Sequence, residues 1–408
     1  MNNHDFMTEA AGVAEMQGLY GPFSFPEKLL QKIWDRREFA GHAAATADGR
    51  AVVVLHPGRW NRLSGPDFLG ARLRIGDREI TGDVEVHLRE QDWAAHRHAA
   101  DPAYDNVVLH VVLFEPCATW TAGGGGVRIP ILALLPLLHH GLEEYAADDA
   151  VETLANHPLD RAREVLGLME PLALRARLRR HAAERWQQKV GFARDRIRRL
   201  GWEAACHHAA LEILGYRYNR APLLAVATEF PLAAWMSRRA DPDGIFESQR
   251  ERWTLRGVRP ANHPRLRLRQ YASWVVARPD WPERLHRLGD RLRPVLTAAV
   301  SLGEEANTQS VRKTARLTAF REACAEDLCA GAMGGSRFDN LMCDGFLPLL
   351  AAETGVDPAV LWAHWFTGDA PADLVGILRG LEVFGGTGRP SAHGPIQGLL
   401  GWMLTHPA

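Results

Sequence analysis

The sequence predicts an α+β protein, with an α/β core over residues 25–135 and an all-α domain over residues 136–408. Three observations carry this. Short segments before residue 133 alternate apolar and polar side chains at strand spacing. Glycine-containing turn signals separate them. From about residue 134 that alternation gives way to helical periodicity, which runs to the end of the chain. Residues 1–24 contain glycine but no sustained period, and are expected to form a flexible lead-in.

Pro26-Glu27-Lys28 opens a helix, since proline suits a first turn and Leu29, Leu30, Ile33 and Trp34 fall at helical spacing. Gly41 ends it. Ala51–Leu55 is apolar and β-branched, and Ala71–Ile75 alternates into the turn pair Gly76-Asp77. Gly82–Leu88 alternates throughout. A polar segment with Trp93 and two histidines forms a helix or loop, and Val107–Phe114 is an apolar strand. Gly123–Gly126 turns a hairpin into Val127–Leu132. The order is α-β-β-β-α-β with an added hairpin, a layered sheet packed by at least one helix. Beyond it, Arg161–Leu200 is a long amphipathic stretch, and helices are expected over 203–215, 221–238, 266–277, 281–302, 308–331, 341–354, 357–366, 371–380 and 395–405.

The totals exclude several classes. A chain of 408 residues has room for two domains, and a net charge of -1 gives no global polyelectrolyte signal for nucleic acid. The five cysteines (Cys117, Cys206, Cys324, Cys329, Cys343) match no common disulfide or zinc spacing and are expected to be reduced and mostly buried. The N-terminus lacks the pattern of a signal peptide, and the longest apolar run, Ile129–Leu138, falls far short of the roughly 20 residues needed to span a bilayer. A cytoplasmic protein is expected. There is no His-Glu-X-X-His zinc helix and no nucleophile elbow. Gly385-Gly386-Thr387-Gly388-Arg389 lacks the Lys-Ser/Thr ending of a phosphate loop, so a plain connection is expected there.

The informative stretch is Gly65-Pro66-Asp67-Phe68, followed by Gly82-Asp83-Val84-Glu85-Val86-His87. Side chains alternate across a strand, so Asp83, Glu85 and His87 share one face while Val84, Val86 and Leu88 face the core. Ionisable groups in a row are costly to bury unpaired, and must be solvated, paired or bound to a cation. If the two strands pair through the Gly76-Asp77 turn, Asp67 approaches the end of the strand bearing Glu85. Two convergent carboxylates suit a hard divalent cation such as Mg²⁺ or Mn²⁺, which activates water and neutralises phosphoryl charge. A solvent-facing polar edge, with Asp67 capping a turn, is the structural alternative.

Pro-Asp before one strand and Glu-X-Lys on the next, within α-β-β-β-α-β, is the PD-(D/E)XK nuclease signature, and Pro66-Asp67 with Glu85-Val86-His87 resembles it. The resemblance implies a restriction-endonuclease-like core in which Asp67, Glu85 and the Val86 carbonyl hold the metal. His87 then positions the attacking water or accepts its proton. The expected function is divalent-metal-dependent hydrolysis of DNA or RNA. Histidine in place of lysine also leaves open a non-cutting nucleic-acid-binding or assembly module. The longer string (Asn61, Gly65–Phe68, Gly82–His87, Trp93, His96, His98, Tyr104, Leu109–Val112, Leu214–Tyr216 and Arg259–Pro264) resembles a large uncharacterised bacterial family, domain-of-unknown-function family 2851.

His96, His98 and His110 are further candidates for metal or phosphate, against the alternative of surface or satisfied core histidines. Asp83 and Asn61 would orient the site or serve turns. Arg161–Leu200 holds twelve basic residues against four acids, and Arg250–Arg269 is also arginine-rich. Arg177, Arg180, Arg196, Arg199, Arg259, Arg265 and Arg267 are therefore candidate phosphate contacts, or else members of solvated faces and structural ion pairs.

Overall fold

The computed structural model describes residues 13–18, 21–154, 159–216, 219–303, 305–385 and 388–406. The first twelve residues of the expected lead-in and Gly386-Thr387 of the glycine-rich loop lie outside them. The described residues of the lead-in, 13–18 and 21–24, are not flexible coil. β1 (Val13–Gly18) and β2 (Gly21–Pro26) pair as an antiparallel ribbon. Pro26 ends that ribbon in extended conformation and opens α1 (Glu27–Arg36), which Arg37 closes at φ 53°. α1 buries Leu29, Leu30, Ile33 and Trp34, as its spacing demands. Glu27 and Gln31, one turn apart, are half-buried on its flank.

The main sheet contains β3 (Val52–His56), β4 (Arg59–Trp60), β5 (Phe68–Ile75), β6 (Arg78–His87), β7 (Val107–Val112), β8 (Trp120–Ala122) and β9 (Arg128–Ala133). Its order is β3-β5-β6-β7-β9-β8, with β4 paired to β5. β5 and β6 pair antiparallel through Gly76, whose φ of 59° supplies the left-handed turn residue. The register shifts between Ala71↔Gly82 and Phe68↔Val84. Asp83 fills that irregularity, its Oδ1 accepting from the Gly70 N–H at 2.9 Å. β6, β7 and β9 run parallel, so residues 88–106 must cross over from one end of β6 to the start of β7. The crossover carries α2 (Asp92–Ala95) and two 3-10 turns, His98–Ala100 and Pro102–Tyr104.

The two faces of the sheet differ in chemistry. Val84, Val86, Leu88, Leu109, Val111, Leu113 and Leu132 pack with the apolar side of α1 in one core. The opposite face presents Asp83, Glu85, His87 and His110. The crossover covers it, with Trp93, Val107 and Ile129 forming a small apolar cluster of their own. The alternation of β6 is thus as the sequence predicts, but both faces are buried.

The chain divides into two compact units, one ending at Ala146 and one beginning at Ala147, rather than at residue 135. The added segment belongs to the first core because Leu137, Leu138 and Tyr145 are buried in it, and the Tyr145 hydroxyl donates to the Glu38 carbonyl at 2.7 Å. The second unit is helical. α3 (Leu142–Leu154) leads into α4 (Asp160–Gly167), α5 (Pro171–Leu200), α6 (Trp202–Leu214) and α7 (Arg220–Glu229), and the helices continue to His393–Thr405. Its core is built on Trp186, Trp235, Trp274, Trp281, Trp362 and Trp365. Pro171 divides the expected helix over 161–200, Pro231 breaks that over 221–238, and Arg316, at φ 49°, divides that over 308–331. The described cysteines are all free thiols, four buried and Cys117 exposed. Among the described residues no helix is long and apolar enough to cross a membrane.

The fit of β6 against β7 is tight at Gly82, where an added Cβ would lie 2.3 Å from a Val108 methyl and 2.7 Å from the Asn106 carbonyl oxygen. Gly82→Ala is expected to lower stability by about 1–3 kcal/mol in urea denaturation. Unchanged stability would mean that this strand contact is looser than described.

Candidate functional site

Asn61 builds the turn that delivers Asp67. Its Nδ2 donates to the carbonyls of Ser64 and Pro66, each at 3.0 Å, and its Oδ1 accepts from the Leu63 N–H at 3.1 Å. Asp67 then stands beside the end of β6. Its Oδ1 accepts from Gln31 Nε2 at 2.8 Å and its Oδ2 from the Val86 N–H at 3.1 Å, while its own N–H donates to Glu85 Oε2 at 3.0 Å. In an extended strand the N–H and C=O of one residue point to the same edge, so the Val86 carbonyl also faces the Asp67 side. The structure therefore brings Asp67, Glu85 and Val86 together.

The other carboxylate oxygen of Glu85 faces imidazoles. Glu85 Oε1 lies 3.5 Å from His87 Nε2 and 3.4 Å from His98 Nε2. His87 Nε2 is 3.1 Å from His96 Nδ1 and 3.3 Å from His98 Nε2. On the far side of the ring, His87 Nδ1 meets His110 Nε2 at 2.9 Å, and His110 Nδ1 meets Thr121 Oγ1 at 2.7 Å. His98 stacks on Tyr104 with ring centroids 3.9 Å apart, edge-on to Trp93, whose Nε1 donates to the Ala122 carbonyl. Arg97 sits between His96 and His98 at φ 61°, a left-handed conformation that costs a non-glycine residue about 1 kcal/mol or more. His96 is exposed and His110 is satisfied inside the sheet by His87 and Thr121, and β6, β7 and the crossover bring both, with His98, against His87.

Electrostatics follow from burial. Glu85 is 5% exposed and His87 1%, while Asp67 is half-buried and His96 exposed. Loss of water, together with the neighbouring Asp67 charge, raises the Glu85 carboxyl well above its usual range, and burial likewise raises Asp67. Glu27 is pushed up to about 7 by burial and then by Asp67 and Asp92. Burial and the adjoining rings hold His87 down to about 2, His98 to about 4 and His110 to about 3, so the imidazoles are neutral bases at physiological pH. Nothing in the sequence marks Glu27 as belonging here. Its i, i+4 relation to Gln31 is visible in the sequence, but only packing turns that flank of α1 toward Asp67. The buried Glu27 Oε2 has no hydrogen-bond partner among the described residues.

Asp83 is not in the cluster; it is engaged with Gly70 as described. The arginine candidates separate by burial. Arg196, 8% exposed, pairs with Glu212 at 2.9 Å, and Arg267, 5% exposed, donates to Asn262 at 3.0 Å and to Gln270. Neither is placed to touch a phosphate. Arg265 pairs with Asp243 and Glu247 and lies over the Phe246 ring. Arg177 is half-buried, whereas Arg180, Arg199 and Arg259 are exposed, with Arg180 near Glu184.

Fold and site together define a mixed-sheet α+β unit with a buried carboxylate and imidazole cluster, joined to a helical unit. A family model described as "Protein of unknown function (DUF2851)" matches residues 27–247, more than half of the chain, and the protein belongs to that family. The match takes in the whole cluster and Leu214–Tyr216 but stops short of Arg259–Pro264. No curated protein and no solved structure matches the chain.

Two outcomes check the supports of these units. Asn61→Ala removes the hydrogen bonds that shape the Asp67 turn and is expected to cost about 1 kcal/mol in chemical denaturation. Glu212→Ala removes the 2.9 Å partner of the buried Arg196 guanidinium and the 2.7 Å partner of Arg220. Its expected cost is about 3–5 kcal/mol, and Glu212→Gln should lose less.

Proposed function

We propose that the N-terminal unit is a divalent-metal-dependent phosphodiester hydrolase acting on DNA or RNA. The observation that carries this reading is the junction of Asp67 and Glu85, joined through the Asp67 N–H at 3.0 Å, with both carboxyl groups raised by burial. A cation held between them would offset the burial and mutual repulsion that raise both groups. Asp67, Glu85 and the Val86 carbonyl would hold Mg²⁺ or Mn²⁺, with Glu27 one helix flank away. The ion would supply Lewis acidity and a water of lowered pKa. His87, neutral and 3.5 Å from Glu85, would position the attacking water. The element order also supports the resemblance to PD-(D/E)XK nucleases: a leading helix, antiparallel β3, β5 and β6, a crossover, and β7 parallel to β6.

One observation favours a second reading, a nucleic-acid-binding module that does not cut. His87 is almost fully buried and fixed by His110, so it does not present the mobile cation that lysine would place at that position. A single assay separates the two. Plasmid and oligonucleotide substrates are incubated with the full chain and Mg²⁺ or Mn²⁺. The hydrolase reading predicts cleavage that Asp67→Asn and Glu85→Ala each lower by roughly 100-fold or more. Salt-sensitive binding without cleavage supports the second reading. Cleavage undiminished in Glu85→Ala contradicts the first.

A further inference from the structure

We propose that His87, His96 and His98, with Glu85 as the fourth donor, form a transition-metal site for a borderline divalent ion of which Zn²⁺ is the type. This goes beyond the hydrolase reading and does not rest on it. The two share Glu85 and His87, but that reading places its ion on the Asp67 side of Glu85, whereas this site uses Oε1 and three imidazole nitrogens.

The donor spacing around His87 and Glu85 is close to that of a tetrahedral coordination shell. Bonds of about 2.0–2.1 Å arranged tetrahedrally place neighbouring donors about 3.3–3.4 Å apart. Here His87 Nε2 to His98 Nε2 is 3.3 Å, Glu85 Oε1 to His98 Nε2 is 3.4 Å, and Glu85 Oε1 to His87 Nε2 is 3.5 Å. His96 Nδ1 joins at 3.1 Å from His87 Nε2, and the donor nitrogens of the three histidines all lie within 4.8 Å of one another.

Hydrogen bonding among the rings uses only part of this convergence. A neutral imidazole offers one donor and one acceptor. His87 meets His110 through Nδ1, and His110 meets the buried Thr121 through its own Nδ1. If each ring donates outward along that chain, His87–Nδ1H to His110 and His110–Nδ1H to Thr121, the single His87 Nε2 lone pair can accept from His96 or from His98 but not fully from both. It points at two more ring nitrogens and a carboxylate oxygen. A chain of this kind behind a ligand is how metal-bound histidines are oriented and made more basic. Nitrogen donors and low coordination number favour Zn²⁺ and later first-row ions over Mg²⁺. Arg97 supplies the local turn: its left-handed backbone lets His96 and His98, two residues apart, face one point. His96 is exposed, which gives an ion a way in.

The test uses the full chain stripped by chelator, with Co²⁺ as a visible probe for tetrahedral coordination. Titration is expected to give one Co²⁺ per chain with the intense absorption of a four-coordinate ion, displaced by one equivalent of Zn²⁺. His96→Ala and His98→Ala should each weaken Co²⁺ binding at least tenfold. Asp67→Asn should leave the spectrum in place even if it abolishes metal-dependent cleavage, so the failure of one reading is distinguishable from the failure of the other. His96 is on the surface, so His96→Ala keeps the test valid should His98→Ala misfold. Absence of binding, a weak six-coordinate spectrum, or undiminished affinity in His96→Ala would overturn the proposal.

Discussion

The first unit depends on a single constraint: the polar face of β6 is covered, not solvated. Leaving an unpaired charge inside a protein costs several kcal/mol, and Glu85 and His87 stand side by side with almost no exposure. The fold meets this cost in three ways. Backbone N–H groups of Asp67, Val86 and Gly70 are directed at the Glu85, Asp67 and Asp83 carboxylates. Burial keeps the imidazoles neutral and raises the affinity of the carboxyl groups for protons. Aromatic rings from the crossover, Trp93 and Tyr104, close over the histidines. What remains is a cluster of carboxylate oxygens and ring nitrogens, which the proposed cation would join.

The topology explains why these groups meet. A parallel β6–β7 pair requires a crossover, and the crossover has to pass over one face of the sheet. It brings His96 and His98 above His87, while the register sets His110 beside Glu85. The opposite side of β6 is apolar and packs on α1, which places Glu27 and Gln31 at the same strand end as Asp67. One strand therefore joins a hydrophobic core to a polar cluster, and its two-residue period divides the two.

Much of this was legible in the sequence. Alternation from Gly82 to Leu88 predicted which side chains share a face, and the Gly76-Asp77 turn predicted the antiparallel pairing that brings Asp67 to Glu85. His-X-His at 96 and 98 was visible as a motif, but not its target, because that depends on the backbone of Arg97 and on strand register. Glu27 was hidden because a helix flank acquires meaning only from what it packs against. The β1–β2 ribbon was missed because Val13–Gly18 and Gly21–Pro26 lack a clear apolar alternation, and pairing between them supplies the order instead. The arginine-rich stretches misled in part: Arg196 and Arg267 neutralise or hydrogen-bond interior groups, so their charge is spent within the helical unit.

The central claim, that the β6 cluster is a cation site, is tested most directly by anomalous diffraction from crystals of the full chain grown with Zn²⁺ and, separately, with Mn²⁺. The account predicts an anomalous peak within bonding distance of Glu85, on its imidazole side for Zn²⁺ and on its Asp67 side for Mn²⁺. Crystals that show no peak at Glu85 with either ion, while its carboxylate and the His87 ring keep the positions described, would contradict it.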